Sequence, residues 1–199
     1  MIDAMEPTMA RSAAVAAADP AGAGLRPSLG ALWNALAAVP DPEIPVVSVV
    51  DLGILRGVEW DATEPATLVV TVTPTYSGCP ATDLIMTSIR DAVAAAGVAR
   101  VRIETRLFPA WTTEWMTPEA KRKLRAFGIA PPDGVRALSA PTAIDVAGIS
   151  PLRRASAAVV CPRCGSPQTK LVSQFGSTAC KAHYRCLACL EPFDYFKPH

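Results

Sequence analysis

The sequence is poor in histidine, in aromatic residues and in unbalanced charge. Its two histidines, His183 and His199, both lie near the C-terminal end. No Ser–His–acid set can therefore be drawn from the rest of the chain, and no glycine-rich phosphate loop occurs. Aromatic residues make up 6% and the net charge is +1, which argues against a nucleic-acid binder that relies on stacking and a basic surface. No apolar run approaches the roughly 20 residues of a membrane span. Near the N-terminus the only apolar run is Ala13–Ala18, with Asp3 and Glu6 where an export signal would carry positive charge. These absences lead us to expect a cytoplasmic protein whose residues 1–25, rich in Ala, Pro and Gly, form a disordered tail.

Half of the 199 residues are apolar, enough for one core and a small module. Leu29, Leu32, Trp33 and Leu36 follow Ser28 at helical spacing, and Pro40 and Pro42 end that helix. Residues 54–60 and 67–73 read as two strands joined by a hairpin loop, with Leu68, Val70 and Val72 on one face. A helix follows Pro80, with Leu84, Ile85, Ile89, Val93 and Ala96 inward and Gly97 as its stop. Residues 100–107 alternate as a third strand, Val101 and Ile103 facing in and Arg100, Arg102 and Glu104 facing out. Residues 108–132 read as a loop with one short helix that starts at Thr117-Pro118-Glu119 and stops at Gly128. The expectation is an α+β protein. A small three-stranded α/β domain over 26–132, with helices packed on the sheet, leads through a linker over 133–157 to a zinc-ribbon-like module over 158–199.

That module carries the clearest chemistry. Cys161-Pro-Arg-Cys164 and Cys186-Leu-Ala-Cys189 are separated by 21 residues. Each CxxC turn aims two sulfurs at one ion, and two such turns complete a tetrahedral thiolate site. So short a segment cannot hold together on its own core, and the ion supplies the missing staple. Zinc is the default occupant; iron, singly or as a cluster, also takes four thiolates. Cys180 is a fifth thiol, open to two readings: a small buried residue, or a spare ligand. No Asp or Glu falls between Val146 and Leu190, and the basic residues there offset the charge of a thiolate site.

Cys79 stands apart from the other five. It lies between the second strand and the helix, where Pro80 at the first helical position would make it the N-cap and the helix dipole would favour a thiolate. Thr75 and Ser77 could add hydroxyl hydrogen bonds, and the proline-stiffened segment 41–45 offers Asp41 and Glu43. With no second cysteine in 26–132, Cys79 would bind iron weakly with Asp41 or Glu43, or share a cluster across a homodimer. An inert, packed cysteine is the bland alternative.

Asp41-Pro42-Glu43, Val50-Asp51-Leu52-Gly53 and the segment from Thr73 to Pro80 resemble the metal–sulfur cluster biosynthesis (SufT-like) family, over roughly residues 28–107. The segments 111–120, 175–181 and 189–197 resemble its PaaD branch, which accompanies the phenylacetyl-CoA epoxidase. The resemblance implies an accessory, non-catalytic subunit of a multicomponent monooxygenase in aerobic phenylacetate catabolism. Such a subunit would help assemble iron or iron–sulfur centres in the oxygenase or reductase subunits. It implies that Cys79 is the thiol that transiently holds a cluster, near Asp41 and Glu43, and it draws attention to Cys180. An electron-transfer component with redox-active iron in the four-cysteine ribbon is the alternative.

Overall fold

The computed structural model describes residues 26–76, 78–132 and 159–198. The expected tail and linker, and Ser77, lie outside the described residues. Helix α1 (Leu29–Ala37) is capped by the Ser28 hydroxyl, which accepts from the Ala31 N–H at 3.2 Å, and it buries Leu32 and Leu36. Strands β1 (Leu55–Trp60) and β2 (Thr67–Val72) pair antiparallel. Helix α2 (Thr82–Ala95) then carries the chain across to β3 (Arg100–Thr105), parallel to β2, giving the order β1-β2-β3. A parallel neighbour requires such a crossover. The register puts Val58 and Trp60, Leu68 and Val70, and Val101 and Ile103 on one face, and Glu59, Arg102 and Glu104 on the other.

Two expectations about α2 change. The helix begins at Thr82, with Ala81 and not Cys79 as its cap residue. Cys79 sits upstream in a turn where its N–H donates to the Tyr76 carbonyl at 3.3 Å. The Cys79 carbonyl, in turn, accepts from the Thr82 N–H at 3.2 Å. Leu84, expected inside, is exposed. Ile85, Ile89 and Val93, four residues apart, form the buried stripe, and Leu84 stands about 100° round the helix from it.

The segment after β3 ties the molecule together. Helix α3 (Pro118–Phe127) is capped by the Thr117 hydroxyl and closed by Gly128 in the left-handed region at φ 94°. Residues expected to continue as loop instead form strand β4 (Ile129–Ala130), which leaves α3 and pairs parallel with β7 (Pro192–Phe196). With β5 (Thr169–Ser173) and β6 (Lys181–Cys186) the second sheet has the order β4-β7-β6-β5. Phe196 and Cys180, from the cysteine-rich module, are buried in the same core cluster as Leu36, Leu52 and Ile85. Trp111 packs on Phe196 with ring centroids 6.0 Å apart and donates its indole N–H to the Leu52 carbonyl at 2.9 Å. The ribbon is therefore packed into the α/β core.

Candidate functional site

Two cysteine centres emerge. In the first, the sulfurs of Cys161, Cys164, Cys186 and Cys189 all lie within 4.8 Å of one another. Cys161 and Cys189 are 3.8 Å apart, and Cys164 and Cys186 are 3.5 Å apart. A tetrahedron with metal–sulfur arms of about 2.3 Å places its sulfurs roughly 3.8 Å apart. A disulfide would hold them at about 2.05 Å, and all six cysteines are free thiols. The donor set thus fits one tetrahedral metal ion and excludes paired disulfides. Gly165, at φ 74°, lets its N–H close the first turn onto the Cys161 carbonyl at 2.9 Å. The Cys189 N–H points at the Cys186 sulfur at 3.5 Å, and this backbone donor lowers the Cys186 thiol to about 6, so that it favours the ligating thiolate. A small apolar cluster of Ala130, Val159 and Phe193 surrounds the centre.

The second centre is a cavity between the α/β layer and the ribbon. Its polar lining comes from Asp41, Glu43, Thr75, Cys79 and Cys180, set in apolar walls that include Ile54 and Phe196. The acidic loop is held open by its own chemistry. The Asp41 Oδ1 accepts the N–H groups of Glu43 at 2.9 Å and Ile44 at 2.8 Å, an Asx turn that fixes both carboxylates at the cavity wall. Burial pushes the Asp41 carboxyl up from its ordinary value, against the pull of those two N–H groups and of Lys181. Burial and the neighbouring Asp41 charge push Glu43 up as well. Tyr76 is raised to about 12, first by desolvation and then by Cys79, Cys180 and Glu43.

Cys180 reaches this cavity from the start of β6. Its thiol faces the Glu43 Oε2 at 4.0 Å and lies 3.0 Å from the Thr178 hydroxyl. Burial raises it, as does the nearby Glu43, while Thr178 and Lys181 pull it down. The turn before it has no room to spare. A Cβ on Gly176 would sit 3.0 Å from an Asp194 carboxylate oxygen and 3.3 Å from the Lys181 Cβ. Lys181 is buried, 3.8 Å from Asp194, and His183 contacts the other oxygen of the same carboxylate at 3.2 Å. Cys79, Asp41 and Glu43 are thus brought to one cavity, and Cys180 of the same chain lines it too. Lys181 and Thr178 were missed as parts of this site. Their signal was membership of the segment 175–181 around Cys180, since nothing local ties residues 178–181 to Cys79.

The Val50-Asp51-Leu52-Gly53 motif serves the frame. Asp51 and Ser48 cap one another at 3.1 Å in both directions, and Lys123 of α3 donates to Asp51 at 2.6 Å. Gly53, at φ 69°, passes so close to Trp115 that a Cβ would meet its carbonyl oxygen at 2.5 Å.

The chain thus joins a small α/β layer with a thiol–carboxylate cavity to a four-thiolate ribbon fit for a tetrahedral metal ion. Residues 30–104 match the family described as iron-sulfur cluster assembly protein, and residues 148–197 match the PaaD zinc beta ribbon domain. A protein of Escherichia coli (strain K12), provisionally named as one of the subunits of 1,2-phenylacetyl-CoA epoxidase, is 46% identical over 86% of this chain and 93% of its own length. An Fe-S protein maturation auxiliary factor of Porphyromonas gingivalis (strain ATCC BAA-308 / W83) is 40% identical over 45% of this chain and 83% of its own. A crystallised domain of unknown function, DUF59, from Bacillus anthracis is 30% identical, covering 48% of this chain and 89% of that one, with a TM-score of 0.44. The chain belongs to the PaaD family of phenylacetyl-CoA epoxidase subunits. No helix among the described residues is long and apolar enough to cross a membrane.

Proposed function

We propose that this chain is a cytoplasmic, non-catalytic maturation factor that handles iron or an iron–sulfur cluster for a phenylacetyl-CoA epoxidase. Its clients are the oxygenase or reductase subunits. The observation that carries the reading is the cavity that gathers Cys79, Asp41 and Glu43. Thiols and carboxylates together bind iron, yet this set is sparser than a closed four-thiolate site, which suits cargo that must leave again. The four-cysteine centre has a different task. Its closed tetrahedral set suits a resident zinc ion that holds the ribbon in shape.

The test is the iron, zinc and acid-labile sulfide content of anaerobically purified wild type and Cys79→Ala, with epoxidase activity in cells carrying each. The expected result is one zinc in both proteins, iron in wild type alone, and activity reduced at least tenfold with Cys79→Ala. Iron retained at the ribbon in both proteins, with unchanged activity in cells, would overturn it and favour electron transfer through the ribbon.

A further inference from the structure

The two CxxC turns of the ribbon are built alike and finished differently. The residue after each second cysteine takes the left-handed region, Gly165 at φ 74° and Leu190 at φ 64°. Glycine accepts that conformation without strain, whereas the Cβ of leucine crowds the following carbonyl. Nothing inside the protein repays the strain at Leu190, whose side chain is 61% exposed. Leu187, in the same turn, is 54% exposed. Neither joins an apolar cluster among the described residues. The turn itself is firmly held. The Cys186 N–H donates to the Glu191 carbonyl at 2.9 Å, and the Leu187 N–H donates to the Gln168 carbonyl at 2.8 Å.

A second local cost lies beside the first. Lys170 of β5 and Arg185 of β6 are direct partners across the strands, and both are exposed. Like charges placed opposite one another repel. The Arg185 Nε donates to the Leu190 carbonyl at 3.3 Å, which ties this charge pair to the strained leucine, and no ion pair among the described residues neutralises either cation. Glu191, exposed, is the nearest acid in sequence, one charge against two. Natural sequences keep such departures from local rules where a function repays them. A partner covering the turn would take both leucines out of water and set carboxylates against Lys170 and Arg185. Nucleic acid would supply the charge without an apolar pocket, and leucine cannot stack on a base. We infer that the second CxxC turn is a docking surface: Leu187 and Leu190 enter an apolar pocket on an epoxidase partner subunit, and acidic residues round that pocket meet Lys170 and Arg185. The inference rests on the maturation reading above and makes it specific, since it names the surface by which the chain meets its client.

The test uses the full chain with its ribbon zinc in place. The probes are the purified oxygenase and reductase components of the epoxidase, with association and dissociation rates measured separately. Wild type should bind one of them, more weakly as salt rises. Leu190→Gly removes the anchor and the strain together. It should dissociate about tenfold faster, keep one zinc per chain and melt no lower than wild type. Lys170→Glu turns the repelling pair into an attracting one. It should associate about threefold more slowly at low salt, with a flatter salt dependence and no loss of zinc or melting temperature. Both variants thus relieve the free protein and weaken docking, a combination that a packing role would not give. Leu190→Asn, which also tolerates the left-handed region, is the second variant should Leu190→Gly not fold. Zinc lost from Lys170→Glu would return the cations to balancing the thiolates and overturn the inference. Wild-type affinity in folded Leu190→Gly would also overturn it, and leave the maturation reading standing. No binding of wild type to either component, with or without tight binding to a random DNA duplex, would overturn both.

Discussion

The two cysteine centres lie in one molecule, one within the ribbon and one between the ribbon and the α/β layer, and differ in almost every physical respect. The four-thiolate centre is assembled from two CxxC turns, each complete within four residues, and its sulfurs stand at the separations a tetrahedral ion requires. The cavity draws its donors from the acidic loop, from the turn before α2 and from the residue preceding β6, and burial raises its carboxylates from their ordinary values. A closed, matched donor set retains its ion and converts binding energy into folding energy. A mixed set, with groups that carry charge only reluctantly, binds more weakly and can let its ion go. On the proposed function, the contrast separates an ion that would be part of the protein from one that would pass through it.

The strongest way to break the comparison is to remove the resident ion. Cys161→Ser or Cys189→Ser should abolish ribbon metal and unfold the ribbon, since a structural site of this kind contributes on the order of 10 kcal/mol. Metal content and the near-ultraviolet circular dichroism of the Trp111–Phe196 pair report both effects. Metal and fold retained in either variant would contradict the four-cysteine assignment. Phe196→Ala acts next. It removes a side chain only 1% exposed and should cost about 3–5 kcal/mol in chemical denaturation while the zinc content stays at one. A cost below about 1 kcal/mol would mean that the ribbon does not lean on the α/β core. Thr178→Val should cost about 1 kcal/mol in chemical denaturation, leaving the ribbon ion untouched. Equal denaturation midpoints of variant and wild type would show that the Thr178 hydroxyl does not hold the Cys180 thiol.

The smallest effect concerns pH. Asp41 has a folded pKa above its unfolded value, so the folded state binds this proton more tightly. Its contribution is stabilising at low pH and is lost as the pH rises through the carboxylate range. Asp41→Asn keeps the Oδ1 acceptor for the two loop N–H groups and removes the charge. With the ribbon zinc in place and no metal in the cavity, the variant should therefore melt slightly above wild type at neutral pH, with the gap closing as the pH falls toward 3.8. A variant that melts below wild type at neutral pH would show that the charge is needed for folding.

Sequence reasoning found the elements that rest on local chemistry. Ser28 and Thr117 cap their helices, Gly128 ends α3 in the left-handed region, and the period-two pattern of β2 gives its true inner face. It failed where local signals were silent or misleading. Pro80 read as the start of a helix, yet the Tyr76–Cys79 turn came first and moved the start to Thr82. Ile129 and Ala130 are too short a run to read as a strand, and only the free edge of β7 makes them one.

The sequence by itself determined the metal ribbon, the three-stranded layer and the identity of the four resident ligands, because CxxC turns, caps and strand alternation act over a few neighbouring residues. Only the tertiary structure decided that Cys180 shares a cavity with Cys79, Asp41 and Glu43. That meeting depends on β4 joining the ribbon sheet and on Phe196 burying itself against Trp111. Packing between segments so distant along the chain is set by the shape and burial of whole surfaces, which leave no periodic trace in the order of the residues.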